Sequence, residues 1–355
     1  MSHTDRPTIR VTTVRDLLAL IPFLLRFQPE DSLVVIVLGR DGIAFTARIA
    51  LAGPGPVSPA LHAVWATIAE KVAALRDGSV VLIGYGTADR VQAAVDTGTV
   101  VLRRAGIPIS EVLRVADGHY WHLDRPNMVD GVAFDPTASP VAAAAVYAGL
   151  VAVPSRDAVA AALAPIAGAA RERMSTATAD ACAFLLELLD AARPDTGNSD
   201  TDHSKTGSSG DLDEDPDSVL DTPLGLALQR GARIYLTRAQ DSYRTGRPVD
   251  DDTAAVLTVL LVLPSLRDYA ARLTNTEPWQ QQMWTDLIRR AEPAFTAGPA
   301  ALLALCALRC GDGALADIAV RRALDADPDD RLAQLLACAV AAGIGPDTVA
   351  ALLAA

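Results

Sequence analysis

Apolar residues recur at helical spacing from Val14, through Leu17, Leu18, Ile21, Leu24 and Leu25, so the pattern predicts an amphipathic helix near the start of the chain. Thr13, followed three residues on by Asp16, marks its beginning as a capping box with Asp in place of Glu. Pro22 falls inside this helix. It lacks an N–H and crowds the carbonyl of Leu18, so a kink or a split is expected there. Gln28-Pro29-Glu30-Asp31 then reads as a turn, because proline presets φ and Asp31 or Ser32 can bond nearby backbone. SLVVIVLG (32–39) is apolar on both faces, as a central strand is. GRDG makes a hairpin turn. The next segment alternates, with Ile43, Phe45, Ala47, Ile49 and Leu51 on one face and Thr46 and Arg48 on the other.

The period keeps switching after the loop GPGPVSP. Residues 59–76 read as a helix, 80–86 as a buried strand and 88–105 as a helix again. EVLRVADGHYWHL forms a second hairpin about Asp117-Gly118. Helix and strand thus alternate to about residue 123, the mark of an α/β layer structure. Ser139-Pro140 and Ser155 are helix starts, and 155–192 is alanine-rich and helical in pattern. Residues 193–223 show no apolar periodicity and hold nine acidic residues against Arg193 and Lys205. Such a segment repels itself and has little apolar surface to bury, so 193–217 is expected to be a disordered acidic linker. Everything beyond it reads as helix. The expected fold is an α/β N-terminal domain (1–192, with trailing helices) plus an all-α C-terminal domain (218–355) with tetratricopeptide-like helix pairs.

Composition narrows the functions. The chain has 355 residues, more than one ordinary core holds, and a net charge of -12 with no basic block. Nucleic-acid binding needs a positive face and is disfavoured. Cys182, Cys306, Cys310 and Cys338 all fall in helix-like segments, which reads as reduced thiols in a cytoplasmic protein. LLALIPFLL is not expected to be a signal peptide, since Asp5 and Asp16 precede or enter it and Pro22 interrupts it. Later apolar runs fall short of the roughly 18 residues of a membrane span, so no membrane partner is expected.

Several segments together carry a family resemblance: DLLALIPFLLRFQPEDSLVVIVL (16–38), the strand with Arg48, LRVADGHYWHL (113–123), VPSRDAVAAALAP (153–165) and GDGALADIAVRRALDADPDDRLAQLL (311–336). In order and spacing they resemble the actinobacterial domain of unknown function 4192 family, over nearly the whole chain outside the acidic stretch. The resemblance implies no established reaction. The chain departs from the family pattern in three places. Members usually carry glycine where Arg26 stands, and many carry aspartate where Ala50 stands. Many also carry a cysteine cluster where this chain has LDRPNMVDGVAFDP, so a cysteine or metal role for that loop does not apply here.

Candidate chemistry is sparse. GYGTAD (84–89) sits at a strand-to-helix turn, but Asp89 stands where a dinucleotide fingerprint wants its third glycine, and a carboxylate there repels a pyrophosphate. The reading that follows is a tight turn with Thr87 or Asp89 capping a helix. There is no GxxxxGK[ST], GxSxG or HExxH. His119 and His122 are three apart, so on a strand they face opposite ways and do not chelate together. Cys306 and Cys310 share a helix face without a histidine near in sequence, which favours packing. No metal, cofactor or catalytic residue is assigned. The ligand-binding candidates are Glu30, Asp31, Ser32 and Arg48, the polar groups nearest the strand ends. In the last segment Leu303, Ala304, Ala316, Val320, Ala323 and Pro328 fall where a tetratricopeptide helix pair places its packing residues. The first functional expectation is therefore a cytosolic binding or regulatory protein without catalytic activity, meeting a protein partner through its helical domain. The second is an enzyme or small-ligand binder working near Asp31, Ser32 and Arg48.

Overall fold

Thr13 opens the first helix, α1 (Val14–Leu25), with the full capping box: its hydroxyl accepts from Asp16 N at 3.1 Å, and Asp16 reaches back to Thr13 N at 3.1 Å. Pro22 does not split α1, and its ring is buried within it. The computed structural model describes residues 9–191 and 223–346 apart from 52, 54–58, 76 and 126–129, together with 348, 349 and 351. The expected linker lies outside the described residues. The chain divides into two units. The first comprises Met1–Ala162, Gly311–Leu315 and Cys338–Ala354, and the second Leu163–Cys310 and Ala316–Ala337.

The first unit is built on a mixed six-stranded sheet, with β1 (Ser32–Gly39), β2 (Gly42–Ala50), β3 (Ser79–Tyr85), β4 (Ile109–Ala116), β5 (His119–His122) and β6 (Val132–Ala133). The order is β2-β1-β3-β4-β5-β6. Only β3 and β4 run parallel, joined through α3 (Ala88–Arg104); the other neighbours are antiparallel. Both predicted hairpins form, about Arg40-Asp41 and about Asp117-Gly118. Asp117 and Gly118 have φ of 49° and 70°, the signature of a type I′ turn.

β1 is central and buried on both faces, as its unbroken apolar run requires. One face packs Leu33, Val35 and Val37 under α2 (Pro59–Ala73) and α3, around the fully buried Trp65. Gly98 of α3 leaves room for that indole; a Cβ there would lie 2.3 Å from its ring atoms. The other face packs Val34, Ile36, Ile83 and Leu113 against Leu18, Ile21 and Leu25 of α1. Each such side chain taken out of water contributes about 1.5–3 kcal/mol. One facing differs from the sequence pattern. The ladder shifts between Val37 and Leu38, so Ile43 leaves the face of Phe45 and Ala47 and packs on the α1 side.

The alanine-rich stretch is also two helices rather than one. α4 (Pro140–Tyr147) and α5 (Arg156–Ala161) start at Ser139 and Ser155, whose hydroxyls accept from Val141 N and Ala158 N. α6 (Ala169–Ala191) follows only after Pro165 and Gly168, the latter at φ 61°, which end helical continuity.

Among the described residues the rest of the second unit is all helical: α7 (Pro223–Arg244), α8 (Asp251–Leu260), α9 (Pro264–Leu273), α10 (Pro278–Arg290), α11 (Ala297–Arg309), α12 (Gly313–Ala326) and α13 (Arg331–Ala341). α12 and α13 divide in membership, since the first residues of α12 and the last residues of α13 group with the sheet. A polar chain crosses this unit. Tyr243 donates to Asp286; Arg290 donates to Asp286 at 3.1 Å, to Asp251 at 2.6 Å and to Val249 O at 2.8 Å. Burial and the Asp286 carboxylate hold the Tyr243 phenol protonated, above its ordinary range. Leu303, Ala304, Ala316, Val320 and Ala323 are all buried, while α11 packs most extensively on α10. No single helix among the described residues is long and apolar enough to cross a membrane.

Candidate functional site

Three turns meet at one end of the sheet. Pro29 leads the first, and Asp31 within it takes φ 42°. Leu51 N donates to Asp31 O at 2.9 Å, tying the end of β2 to the start of β1. The Asp31 carboxylate pairs with Arg90 of α3 at 2.8 Å, and Arg90 also donates to Leu51 O at 3.0 Å. This pair is well solvated at Asp31, so it fixes geometry more than it adds stability. The second turn follows β3. Gly86 has φ 146°, and a Cβ there would meet Leu51 Cδ1 at 3.0 Å and Asp31 Oδ1 at 3.2 Å. Only glycine suits both the conformation and the space. Thr87 stands at the N-cap of α3 without making a side-chain cap bond. The third turn is the β4–β5 hairpin. Just before it, Arg114 donates through Nε to Gly86 O at 3.0 Å, and its guanidinium lies 4.5 Å over the Trp121 ring.

Between these turns lies a cleft of about 650 Å³, walled by Gln28–Asp31, Tyr85–Thr87 and Arg114–Gly118, with Leu18 and Phe134 supplying apolar surface. It opens beyond the carboxyl ends of the parallel pair β3 and β4, where open α/β sheets bind ligands. Tyr85 lines it with only 6% of its surface exposed, and its hydroxyl has no hydrogen-bond partner among the described residues. Burial pushes its phenol far above the ordinary range, so it stays a neutral donor and acceptor. Glu30, Asp31 and Asp117 offer carboxylates, and Arg114 a guanidinium. No histidine, cysteine or serine lines the cleft among the described residues.

The four residues singled out from sequence divide here. Glu30 and Asp31 line the cleft. Ser32 is fully buried behind it: its hydroxyl donates to Glu30 O and accepts from Arg48 Nε at 2.8 Å. Arg48 reaches Glu30 O with Nη2 at 3.4 Å and lies 5.7 Å over the Phe27 ring. Ser32 and Arg48 thus brace the turn that presents Glu30 and Asp31. Tyr85, Thr87, Arg114 and Asp117 complete the cleft. Sequence spacing sees Thr87 and Asp117 only as cap and turn residues, and sees no reason to join Tyr85 to Arg114. The β3–β4 register, with Gly84 opposite Arg114 and Tyr85 opposite Val115, does that.

The other motifs fall into structural roles. Gly84 lies so close under Val91 that a side chain would collide with it, so this glycine serves the packing of α3 on β3. His119 is exposed and contacts Trp121, whereas His122 is buried beside Tyr120, on the opposite face of β5. Cys306 and Cys310 point at the carbonyls of Asn275 and Thr276, at 3.5 Å and 3.9 Å. The neighbouring Cys310 thiol, and then burial, push the Cys306 thiol upward, away from the reactive thiolate.

Fold and site together define an α/β protein with a polar cleft at its strand ends and a second, helical unit. The chain belongs to the family described as Domain of unknown function (DUF4192), whose match spans residues 15–347. Comparison with curated proteins finds no match, and comparison with solved structures finds none.

Proposed function

We propose that this is a binding protein without catalytic activity of its own, whose α/β unit takes a small polar organic molecule in the cleft between Asp31, Tyr85 and Arg114. The observation that carries the reading is Tyr85, whose largely buried side chain lines the cleft and whose hydroxyl has no hydrogen-bond partner among the described residues. A ligand that bonds this hydroxyl gains one hydrogen bond, a net contribution of about 0.5–1.5 kcal/mol. Ser32 and Arg48 act as positioning residues. The four free cysteines support a reducing, cytoplasmic setting.

The test is a ligand-observed NMR screen of the full chain against defined sets of amines, carboxylates, sugars and nucleosides. Compounds that bind are expected to weaken about two- to tenfold on Tyr85→Phe, the loss of one hydrogen bond. A larger loss is expected on Arg114→Met. Binding that ignores both variants, or no binding from any set, contradicts the reading.

The second reading keeps a protein partner on the helical unit, through tetratricopeptide-like packing of α11 and α12. It draws on the small buried residues Ala304, Ala316 and Ala323, and on the exposed Leu335 of α13. Its apolar exposure is divided, with Leu226 and Ile234 on α7, Val262 just after α8 and Leu335 on α13. The cleft is therefore the better supported site.

A further inference from the structure

At the far end of β4 the strand pairing assembles a second polar cluster. β4 and β5 pair Leu113 with His122, and the ladder continues through Leu123 N to Val112 O at 2.8 Å. This register sets Glu111 opposite Asp124, on the same face as His122. His122 is buried, and its Nδ1 lies 3.1 Å from Glu111 Oε2 and 4.0 Å from Asp124 Oδ1. One nitrogen or oxygen from each of the three residues lies within 4.8 Å of the others. Glu111 divides its two oxygens: Oε1 takes Arg125 Nη2 at 2.5 Å, and Oε2 faces the imidazole.

We propose that Glu111, His122 and Asp124 form a binding site for a divalent first-row transition-metal ion such as Zn²⁺ or Mn²⁺. Bonds of about 2.0–2.2 Å hold neighbouring ligands about 3–3.5 Å apart. The imidazole–Glu111 spacing already has that value, and Asp124 Oδ1 stands 4.0 Å from Nδ1. One imidazole with two carboxylates suits Zn²⁺ or Mn²⁺ better than Mg²⁺, which prefers oxygen and keeps its waters. To bind the ion, Nδ1 and Oε2 must each offer a lone pair in place of the hydrogen bond between them. Arg125 need not leave, because it holds the other oxygen of Glu111; it orients that carboxylate and tempers its charge. Asp124 and Glu111 are partly exposed, which leaves the ion a way in and room for water. His119 takes no part, because it lies on the other face of β5. The proposal departs from the expectation that residues 123–136 have no metal role, since Asp124 belongs to that segment; sequence spacing misses the site because Glu111 comes from the neighbouring strand.

The experiment is calorimetric titration of the metal-stripped full chain with Mn²⁺, Zn²⁺ and Mg²⁺ in turn. Asp124→Asn, Glu111→Gln and His119→Ala are titrated alongside, with circular dichroism to confirm folding. One Mn²⁺ or Zn²⁺ is expected per chain. Affinity is expected to fall at least about tenfold in Asp124→Asn and Glu111→Gln and to hold in His119→Ala. Mg²⁺ is expected to bind at least about tenfold more weakly. Mn²⁺, which thiols attract little, separates this site from the free cysteines. Absence of saturable Mn²⁺ and Zn²⁺ binding overturns the proposal. So does binding that survives both carboxylate variants, or Mg²⁺ binding as tight as Mn²⁺.

Discussion

Arg26 sits at the C-cap of α1 with φ 67° and ψ 2°, the left-handed conformation that costs a residue with a Cβ about 1–2 kcal/mol. Part of that cost returns when Arg26→Gly loosens the unfolded chain. The net expectation is a gain of about 0.5–1 kcal/mol in urea denaturation, and a loss would show that the arginine side chain does more than the backbone strain it imposes. The capping box of Thr13 and the Asp117-Gly118 turn were legible because their chemistry is local. The cleft was half legible. Glu30 and Asp31 announce themselves beside Pro29, but Tyr85 and Arg114 look like ordinary strand residues until the parallel pairing of β3 and β4 puts them at one edge. Ile43 misled for a similar reason, since a bulge in the β1–β2 ladder leaves no trace in an alternating pattern.

At the scale of elements, helix ends and helix faces make separate claims. Asp250 caps α8 by accepting from Thr253 N at 2.7 Å, and hydrogen bonds from the Thr253 side chain and backbone hold its carboxyl below the ordinary value. A carboxyl lowered in the folded state contributes fully above its unfolded value, near 3.9, and loses that contribution as pH falls through the folded one. Asp250→Ala is expected to cost about 1 kcal/mol at pH 7 and less at pH 3. An equal cost at both values would remove the charge from the explanation. Ala316 and Ala323 lie two turns apart on α12, and both are completely buried. Leucine at either position overpacks that face, with an expected cost of about 1–3 kcal/mol in thermal melts of the full chain. An unchanged melt for both would end the tetratricopeptide-like proposal. Helix starts were easy to read, because Ser139 and Ser155 signal directly. The break between α5 and α6 was not, because alanine hides the weight of Pro165 and Gly168.

In the whole molecule, both units draw on chain from either side of the acidic stretch. The first unit recruits Ala314 against the core around Leu18, and Lys71 Nζ donates to Gly343 O at 2.7 Å. The second takes in α6 together with the helices after 223. Trypsin is expected to cut first at Lys205, since nothing in 193–217 has an apolar pattern to bury and the bond after Arg193 leads into Pro194, which trypsin does not cleave. The two fragments are expected to co-elute on gel filtration, because each unit needs both; separate elution would show that one fragment folds alone. Sequence reading could not see this interleaving, because the packing partners of 311–315 lie far away in the chain. The most direct test of the cleft is hydrogen–deuterium exchange of the full chain, with and without the tightest compound from the NMR screen. Slower exchange is expected at Gln28–Asp31, Tyr85–Thr87 and Arg114–Gly118, with the helices from 223 onward unchanged; slowing confined to those helices would contradict the assignment of the binding site to the α/β unit.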